Sequence, residues 1–105
     1  MRTIGIITRL NPIVIKVYDA DTSKVIEITP THYDKSFPYQ IFSPVDYHKD
    51  TNSINILQDN NLTKEELAIQ MKVLKEVMST KENAEEFLNI ISDAFSSEKK
   101  TSHHK

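Results

Sequence analysis

The chain has no cysteine and no tryptophan, and Gly5 is the single glycine among its 105 residues. The absence of cysteine excludes disulfides, thiolate nucleophiles and cysteine-ligated zinc, and it suits a reducing compartment. With one glycine, the phosphate-binding loops and dinucleotide fingerprints are also excluded, because each needs several glycines at fixed spacing. The most recognisable catalytic and cofactor motifs are therefore missing.

The chain also has no strong excess of charge and no long apolar run. Thirteen Lys and Arg residues oppose fifteen Asp and Glu residues, for a formal net charge of −2. Proteins that bind duplex nucleic acid usually carry a basic patch, so nucleic acid is the weaker expectation for a partner. No apolar stretch approaches the roughly 20 residues of a membrane span or forms the core of a secretion signal. We therefore expect a cytoplasmic protein with no membrane contact.

The segment from Leu62 to Leu67 has the pattern of a helix N-terminus. Thr63 is placed to accept a hydrogen bond from the amide three residues on, and Glu66 is placed to reach back to the Thr63 amide. Apolar residues alternate before this segment and recur with a period near 3.6 after it. The chain is therefore predicted to have an α+β fold, with the strands first and the helices last.

The domain organisation follows from this change of period. We predict one domain over residues 1–96, with a β-rich half at 1–59 and a helical half at 62–96. Residues 97–105 are polar and show no periodicity, so we predict a disordered tail there.

In the β-rich half, the alternation of apolar residues predicts strands at Thr3–Leu10, Ile13–Tyr18 and Lys24–Thr29. These strands suit an antiparallel meander with one buried face. Candidates for a fourth and a fifth strand are Gln40–Phe42 and Ser53–Leu57. Five strands leave two alternatives open, a meander or a small open barrel.

In the helical half, two helices are predicted, the first from about Lys64 to Met78 and the second from about Lys81 to Phe95. The apolar stripes of the two helices are out of phase by about one residue, so a single long helix would not keep them on one face. Ser79 and Thr80 lie at the phase change and are both good N-caps, and Ser79 is expected to form a second capping box with Glu82. Together the helices are expected to make a hairpin that packs on the sheet. The central stripe predicted for the first helix consists of Leu67, Met71, Leu74 and Met78, widened by Val73 and Val77.

No group of residues has the spacing of a catalytic or metal site. The histidines and aspartates of the central segment match no strong zinc or calcium motif. These residues are His32, Asp34, Asp46, His48 and Asp50. The carboxylates of the helical half suit capping and the helix dipole instead of acid–base chemistry. We therefore expect no metal, no cofactor and no enzymatic activity.

Residues 30–47 contain five of the eight aromatic residues and three of the four prolines. Tyrosine offers a large contact area at low entropic cost, so this aromatic segment is the predicted surface for a protein partner. The predicted partner-binding residues are Tyr33, Phe37, Tyr39 and Tyr47. The alternative is that these rings cover one end of the sheet. A second interaction candidate is the wide apolar stripe of the first helix, which could bind a protein partner or mediate self-association.

The order of motifs at the start of the chain is similar to that of a known class of small β-modules. Gly5-Ile6-Ile7 is followed by Asn11-Pro12-Ile13-Val14-Ile15 and by a polar turn at Asp19. Residues 4–28 thereby resemble the opening of small β-barrel modules in tailed-phage tail and baseplate proteins. The resemblance implies a phage-derived structural or accessory protein.

These observations together favour a non-enzymatic protein-binding or assembly module. The alternative is a small nucleic-acid-associated regulatory protein. Salt-dependent retention on heparin or single-stranded DNA would separate the two, because phosphate binding weakens steeply with salt.

Overall fold

The computed structural model describes residues 3–57 and 62–103, with side chains in the last helix described as far as Phe95. As the sequence predicts, the chain has an α+β fold, in which a five-stranded antiparallel open sheet precedes two helices. The elements are β1 (Thr3–Arg9), β2 (Val14–Asp19), β3 (Lys24–Ile28), β4 (Pro44–His48), β5 (Ser53–Ile56), α1 (Lys64–Val77) and α2 (Lys81–His103).

The strand order is β3-β2-β1-β4-β5, so β1 is the central strand and lies between β2 and β4. Residues 29–43, here called the crossover, carry the chain from the β3 edge past β1 to β4. The fourth strand lies after Phe42 and not at Gln40–Phe42, where it was predicted. Phe42 has a φ of 68°, in the left-handed region that a strand does not use. Its amide donates instead to the carbonyl of Ile7 at 2.6 Å.

Both faces of the central strand β1 are covered, whereas the sequence predicted a sheet with one buried face. Ile6 packs with Val73 and Val77 of α1 on one face. Ile7, its neighbour in β1, packs on the other face in a cluster against which Tyr33 and Tyr39 of the crossover lie. A central strand between a helix and an aromatic crossover therefore has apolar residues at consecutive positions.

Helix α1 starts with the predicted capping box. The Thr63 hydroxyl accepts from the Glu66 amide at 3.0 Å, and the Glu66 carboxylate accepts from the Thr63 amide at 2.9 Å. The buried ridge of α1 is formed by Val73 and Val77, both 0% exposed, and not by the predicted central stripe. Met71 of that stripe is 62% exposed, so α1 is rotated relative to the expected orientation.

Helix α2 is capped by Thr80, whose hydroxyl accepts from the Asn83 amide at 3.2 Å. The capping box predicted for Ser79 and Glu82 was wrong, because Ser79 donates its hydroxyl to the Glu76 carbonyl at 2.6 Å and belongs to the end of α1. Asn83 Nδ2 also donates to the Val77 carbonyl at 2.9 Å and ties the two helices together at the corner.

The far end of α2 also differs from the prediction, because α2 continues to His103 and not only to about Phe95. No proline or glycine follows Phe95 to stop the helix. The predicted disordered tail at 97–105 overlaps the helix as far as His103, and residues 104 and 105 lie outside the described residues.

Candidate protein-binding surfaces

The structure separates the four rings that the sequence grouped together as a partner surface. Tyr47 lies in β4, is 6% exposed and belongs to the core cluster under the crossover. Its hydroxyl donates to Asn52 Oδ1 at 2.9 Å, and Asn52 Nδ2 donates to the Thr29 carbonyl at 3.2 Å. Tyr47 therefore joins the start of the crossover to the turn between β4 and β5, and its ring offers little surface to a partner.

The other three rings form an aromatic cluster on the crossover. The ring of Tyr39 meets Phe37 edge-on at 4.9 Å between centroids and meets Tyr33 at 6.0 Å. All three side chains are half-buried, and Tyr33 and Tyr39 pack against the core cluster. Burial raises the pKa of the Tyr39 hydroxyl. These rings therefore cover the sheet with one side and face solvent with the other.

A local turn holds this cluster in shape. Asp34 Oδ1 accepts from the Ser36 hydroxyl at 2.6 Å and from the Ser36 amide at 2.9 Å, and these hydrogen bonds lower the pKa of the Asp34 carboxyl. The Phe37 amide donates to the Asp34 carbonyl at 3.2 Å. An Asx turn of this kind fixes the backbone between Tyr33 and Phe37, two of the rings of the cluster.

Shallow grooves lie on both sides of the aromatic cluster. One, with a volume of about 420 Å³, lies between Phe37 and Tyr39 on the crossover and Ile56 and Leu57 at the end of β5. The other, of about 370 Å³, lies between the cluster and Leu10 at the end of β1. Either groove has room for an apolar side chain of a partner, and β5 beside the first groove is an edge strand.

The more exposed apolar surface lies on the helices. Within residues 3–57 and 62–95, the five most exposed large apolar side chains are all helical, and we call them the helical apolar surface. They are Leu67 (47%), Met71 (62%), Leu88 (60%), Ile90 (44%) and Phe95 (59%). One feature of the sequence indicates this surface, namely the apolar stripe of α1 that is wider than one sheet face requires.

The α1 part of this surface results from the rotation of the helix. At 100° per residue, Leu67 and Met71 lie about 120–160° around the axis from Val73, which faces the sheet. Lys72, on the opposite flank, places its Nζ 4.6 Å from the centre of the Tyr18 ring. The Leu67–Met71 stripe is therefore turned away from the sheet.

The α2 part of the helical apolar surface is exposed because α2 packs on the rest of the fold mainly near its N-terminal end. Phe87 packs edge-on against Phe42, with 5.9 Å between ring centroids, and joins the cluster around Val73 and Val77. Contacts of α1 with β1 and β2 dominate the packing of the helical half, and α2 makes no contacts of similar extent with another described element. The molecule measures 53 × 30 × 28 Å, in keeping with a helix that projects from the sheet. Between Phe87 and Phe95, the apolar face of α2 is only partly covered: Ile91 is half-buried, and Leu88 and Phe95 are exposed.

The histidines and aspartates of the central segment do not assemble into a metal site. His48 Nε2 lies 3.7 Å from Asp46 Oδ2. Among the residues that the structure describes, no group of three or more His, Asp or Glu side chains could hold a metal ion. In the same residues, none of the helices has the length and apolar content that crossing a membrane requires.

Comparison with protein-family models, with curated proteins and with solved structures gives no match to this chain. The surfaces described above are therefore the basis for proposing a function.

Proposed function

We propose that this chain is a non-enzymatic protein-binding or assembly module, and that the helical apolar surface is its main contact surface. The observation that carries the proposal is that the five most exposed large apolar side chains in residues 3–57 and 62–95 all lie on the two helices. Leu67 and Met71 share one face of α1, and Leu88 and Phe95 share one face of α2. Exposed apolar residues that share a face mark interaction sites more often than isolated ones do.

The apolar side chains left exposed along α2 can contribute to the free energy of binding a partner. Burying one large apolar side chain completely stabilises a complex by roughly 1.5–3 kcal/mol. Several such side chains together match the order of the association cost, about 4–15 kcal/mol. Leu88 and Phe95 lie on one face of α2 because they are seven residues apart, which is close to two helical turns. A partner that covers this face can therefore offset much of the association cost through apolar burial.

The crossover is a second candidate surface, favoured by the two grooves beside Phe37 and Tyr39. Its rings are already held in place by the sheet and by the Asp34 turn, which lowers the entropy lost on binding. Tyr33, Phe37 and Tyr39 are the residues we propose there, and the buried Tyr47 supports them from below.

For the biological setting, we propose a phage-derived structural or accessory role. The support is the resemblance of residues 4–28 to small β-barrel modules of tail and baseplate proteins. Assembly proteins of this kind act through contacts between subunits, which agrees with an exposed helical surface.

Because the chain has no cysteine, a single introduced cysteine can carry a photoreactive benzophenone at a chosen place. Ser92→Cys places the probe on α2, four residues from Leu88. Lys35→Cys places it on the crossover, and Asp50→Cys places it in the turn between β4 and β5 as the control. All three positions are exposed. Illumination in extract of the native host, followed by mass spectrometry, identifies the protein bound at each position.

We expect strong crosslinking to a defined protein from position 92 and weak crosslinking from position 50. Adding Leu88→Glu should abolish the crosslink from position 92 without changing the circular dichroism spectrum. Equal, unspecific crosslinking from positions 92 and 50, or none from either, would contradict the proposal. A defined product from position 35 alone would favour the crossover as the binding surface.

A further inference from the structure

The outer edge of β5 is paired along only half of its length. The crossover runs beside the first half, where the His32 amide donates to the Asn52 carbonyl at 3.3 Å and the Ile54 amide donates to the His32 carbonyl at 3.1 Å. In a strand, the amide and carbonyl of one residue point the same way, and every second residue repeats that direction. The Ile54 carbonyl and both backbone groups of Ile56 therefore face outward, and no residue within 3–57 and 62–103 hydrogen bonds to them there.

The crossover leaves β5 after His32, and a notch lies beside the open half of the edge. The notch has a volume of about 350 Å³ and is lined by Asp34, Tyr39, Asn55 and Ile56. The apolar groove of about 420 Å³ adjoins it, because Tyr39 and Ile56 line both. A chain that lies along the open half of β5 can therefore place side chains in the notch and in the groove.

The notch is negatively charged. Asp34 is exposed, and it forms no ion pair with a Lys, Arg or His side chain of the described residues. Its Oδ1 accepts both hydrogen bonds from Ser36, so Oδ2 is left to accept from a ligand. Lys35, the next residue, lines the groove on the other side of the aromatic cluster. A cationic side chain therefore suits the notch, since a carboxylate forms its strongest hydrogen bonds with charged donors.

We propose that the open half of β5 binds an extended segment of a partner protein in which a lysine or arginine adjoins an aliphatic residue. The segment adds a short strand to the sheet and pairs its backbone with Ile54 and Ile56. Its aliphatic residue lies opposite Ile56 and shares a face with it, because directly opposed residues of a sheet do so. That face contains the apolar groove, and the long side chain of the adjoining lysine or arginine reaches Asp34 across the notch.

Charge favours such a segment over a second copy of this chain. Pairing of β5 with β5 of another copy would bring two Asp34 carboxylates to one short contact, where like charges repel. The proposal rests on the proposed function, because it names the kind of segment that the second candidate surface binds.

Panning of a random decapeptide library on phage against the immobilised full chain tests the proposal. We expect enrichment of peptides in which Lys or Arg adjoins Val, Ile or Leu. The most enriched peptide is then labelled with fluorescein, and its dissociation constant is measured by fluorescence anisotropy for the wild type and for variants.

The variants separate the charge from the backbone pairing. Asp34→Asn keeps an acceptor for Ser36 and removes only the charge, so it should raise the dissociation constant about two- to fivefold. Asp50→Asn, at the other end of β5, is the control and should leave the constant unchanged. Ile56→Pro removes the open amide at an edge position that tolerates proline, and it should raise the constant roughly tenfold. Circular dichroism verifies that each variant is folded.

The backbone amide of Ile56 gives a second readout that needs no variant. Saturating peptide should slow hydrogen exchange at this amide, measured by NMR, and leave exchange at Leu88 unchanged. Protection of the Ile56 amide in the free chain overturns the proposal, because the edge is then already covered. Protection that increases with protein concentration identifies a second copy as the occupant.

The outcomes distinguish this proposal from the proposed function. Absence of an enriched motif, or a peptide whose binding neither Asp34→Asn nor Ile56→Pro weakens, overturns strand addition at β5. A defined crosslink from position 92 or 35 then still supports a protein-binding module. Without such a crosslink, the proposed function fails as well.

Discussion

At the scale of single residues, Gly5 shows how closely the central strands pack. A Cβ atom at this position would lie 3.0 Å from Val17 Cγ1 and 3.1 Å from Ile15 Cδ1. Both neighbours are core side chains, with exposures of 3% and 0%. They have little freedom to move, because interiors are packed at nearly crystalline density. The single glycine of the chain thus marks a close approach, one of the two readings that a strand glycine allows.

We therefore predict that Gly5→Ala destabilises the fold by about 1–2 kcal/mol. Overpacking a core typically costs about 1–3 kcal/mol, and the loss of glycine flexibility offsets part of this cost. Denaturant titration measures the difference. A variant that is more stable than wild type would show that β1 and β2 have room to separate at this position.

The buried hydroxyl of Tyr47 makes the free energy of unfolding depend on pH. Burial raises its pKa and that of Tyr39, whereas in the unfolded chain tyrosine titrates near pH 10, its usual value being about 10. Below that pH both states are neutral and the contribution to stability is complete. Above it the unfolded state ionises first, so the free energy of unfolding falls as the pH rises through the raised pKa.

We predict that the melting temperature decreases above about pH 10 and that Tyr47→Phe makes this decrease shallower. At neutral pH the same variant should be less stable by about 1 kcal/mol, since Asn52 loses a hydrogen bond donor. Thermal melts of both proteins over the alkaline range provide the measurement. An identical alkaline slope in the two proteins would mean that Tyr47 does not titrate with unfolding.

At the scale of elements, the sequence predicts α1 and its cap correctly but not which side of α1 is buried. Apolar periodicity detects a face that is wider than the surface it covers, and Leu67 and Met71 are as apolar as Val73 and Val77. Which half of that face meets the sheet depends on Phe42 and Ile6, which belong to distant parts of the chain. Local pattern does not contain this information.

The fourth strand was missed for a similar reason. Phe42 has a side chain that favours strands, but its backbone is left-handed and its ring lies between the sheet and α2. The segment from Pro44 to His48 alternates in burial once it pairs with β1, and Tyr47 is buried by that pairing. The predicted partner surface therefore includes one core residue. Tyr47 was placed with the aromatic segment 30–47, whereas it lies in strand β4.

A series of variants in α1 tests its orientation. We predict that Val73→Ala costs about 2–3 kcal/mol through lost burial and a cavity. Thr63→Ala should cost about 1 kcal/mol through loss of the cap, and Met71→Ala should change the stability of a single chain by less than about 0.5 kcal/mol. Denaturant titration at low protein concentration gives the three values. If Met71→Ala costs as much as Val73→Ala, the rotation described for α1 is incorrect.

At the scale of the whole molecule, the order of the strands explains the other features. Placing β1 in the centre requires the crossover, and the aromatic crossover covers one face of the sheet while α1 covers the other. The central strands are covered on both faces, the exposed apolar side chains Ile26 and Ile56 lie on the edge strands of the sheet, and α2 docks through the contact of Phe87 with Phe42. The projecting, partly uncovered α2 is thus a consequence of the topology, and it is the surface on which association is proposed.

Hydrogen exchange of the backbone amides of the full chain tests this account most directly. A helix face that is uncovered in the single chain opens easily and exchanges fast, whereas core strands exchange only through global unfolding. We predict that the amides of Leu88–Phe95 exchange much faster than those of the core strand β1, because this part of α2 is largely uncovered. Exchange of Leu88–Phe95 as slow as that of β1 would contradict the account, because it would mean that α2 is covered.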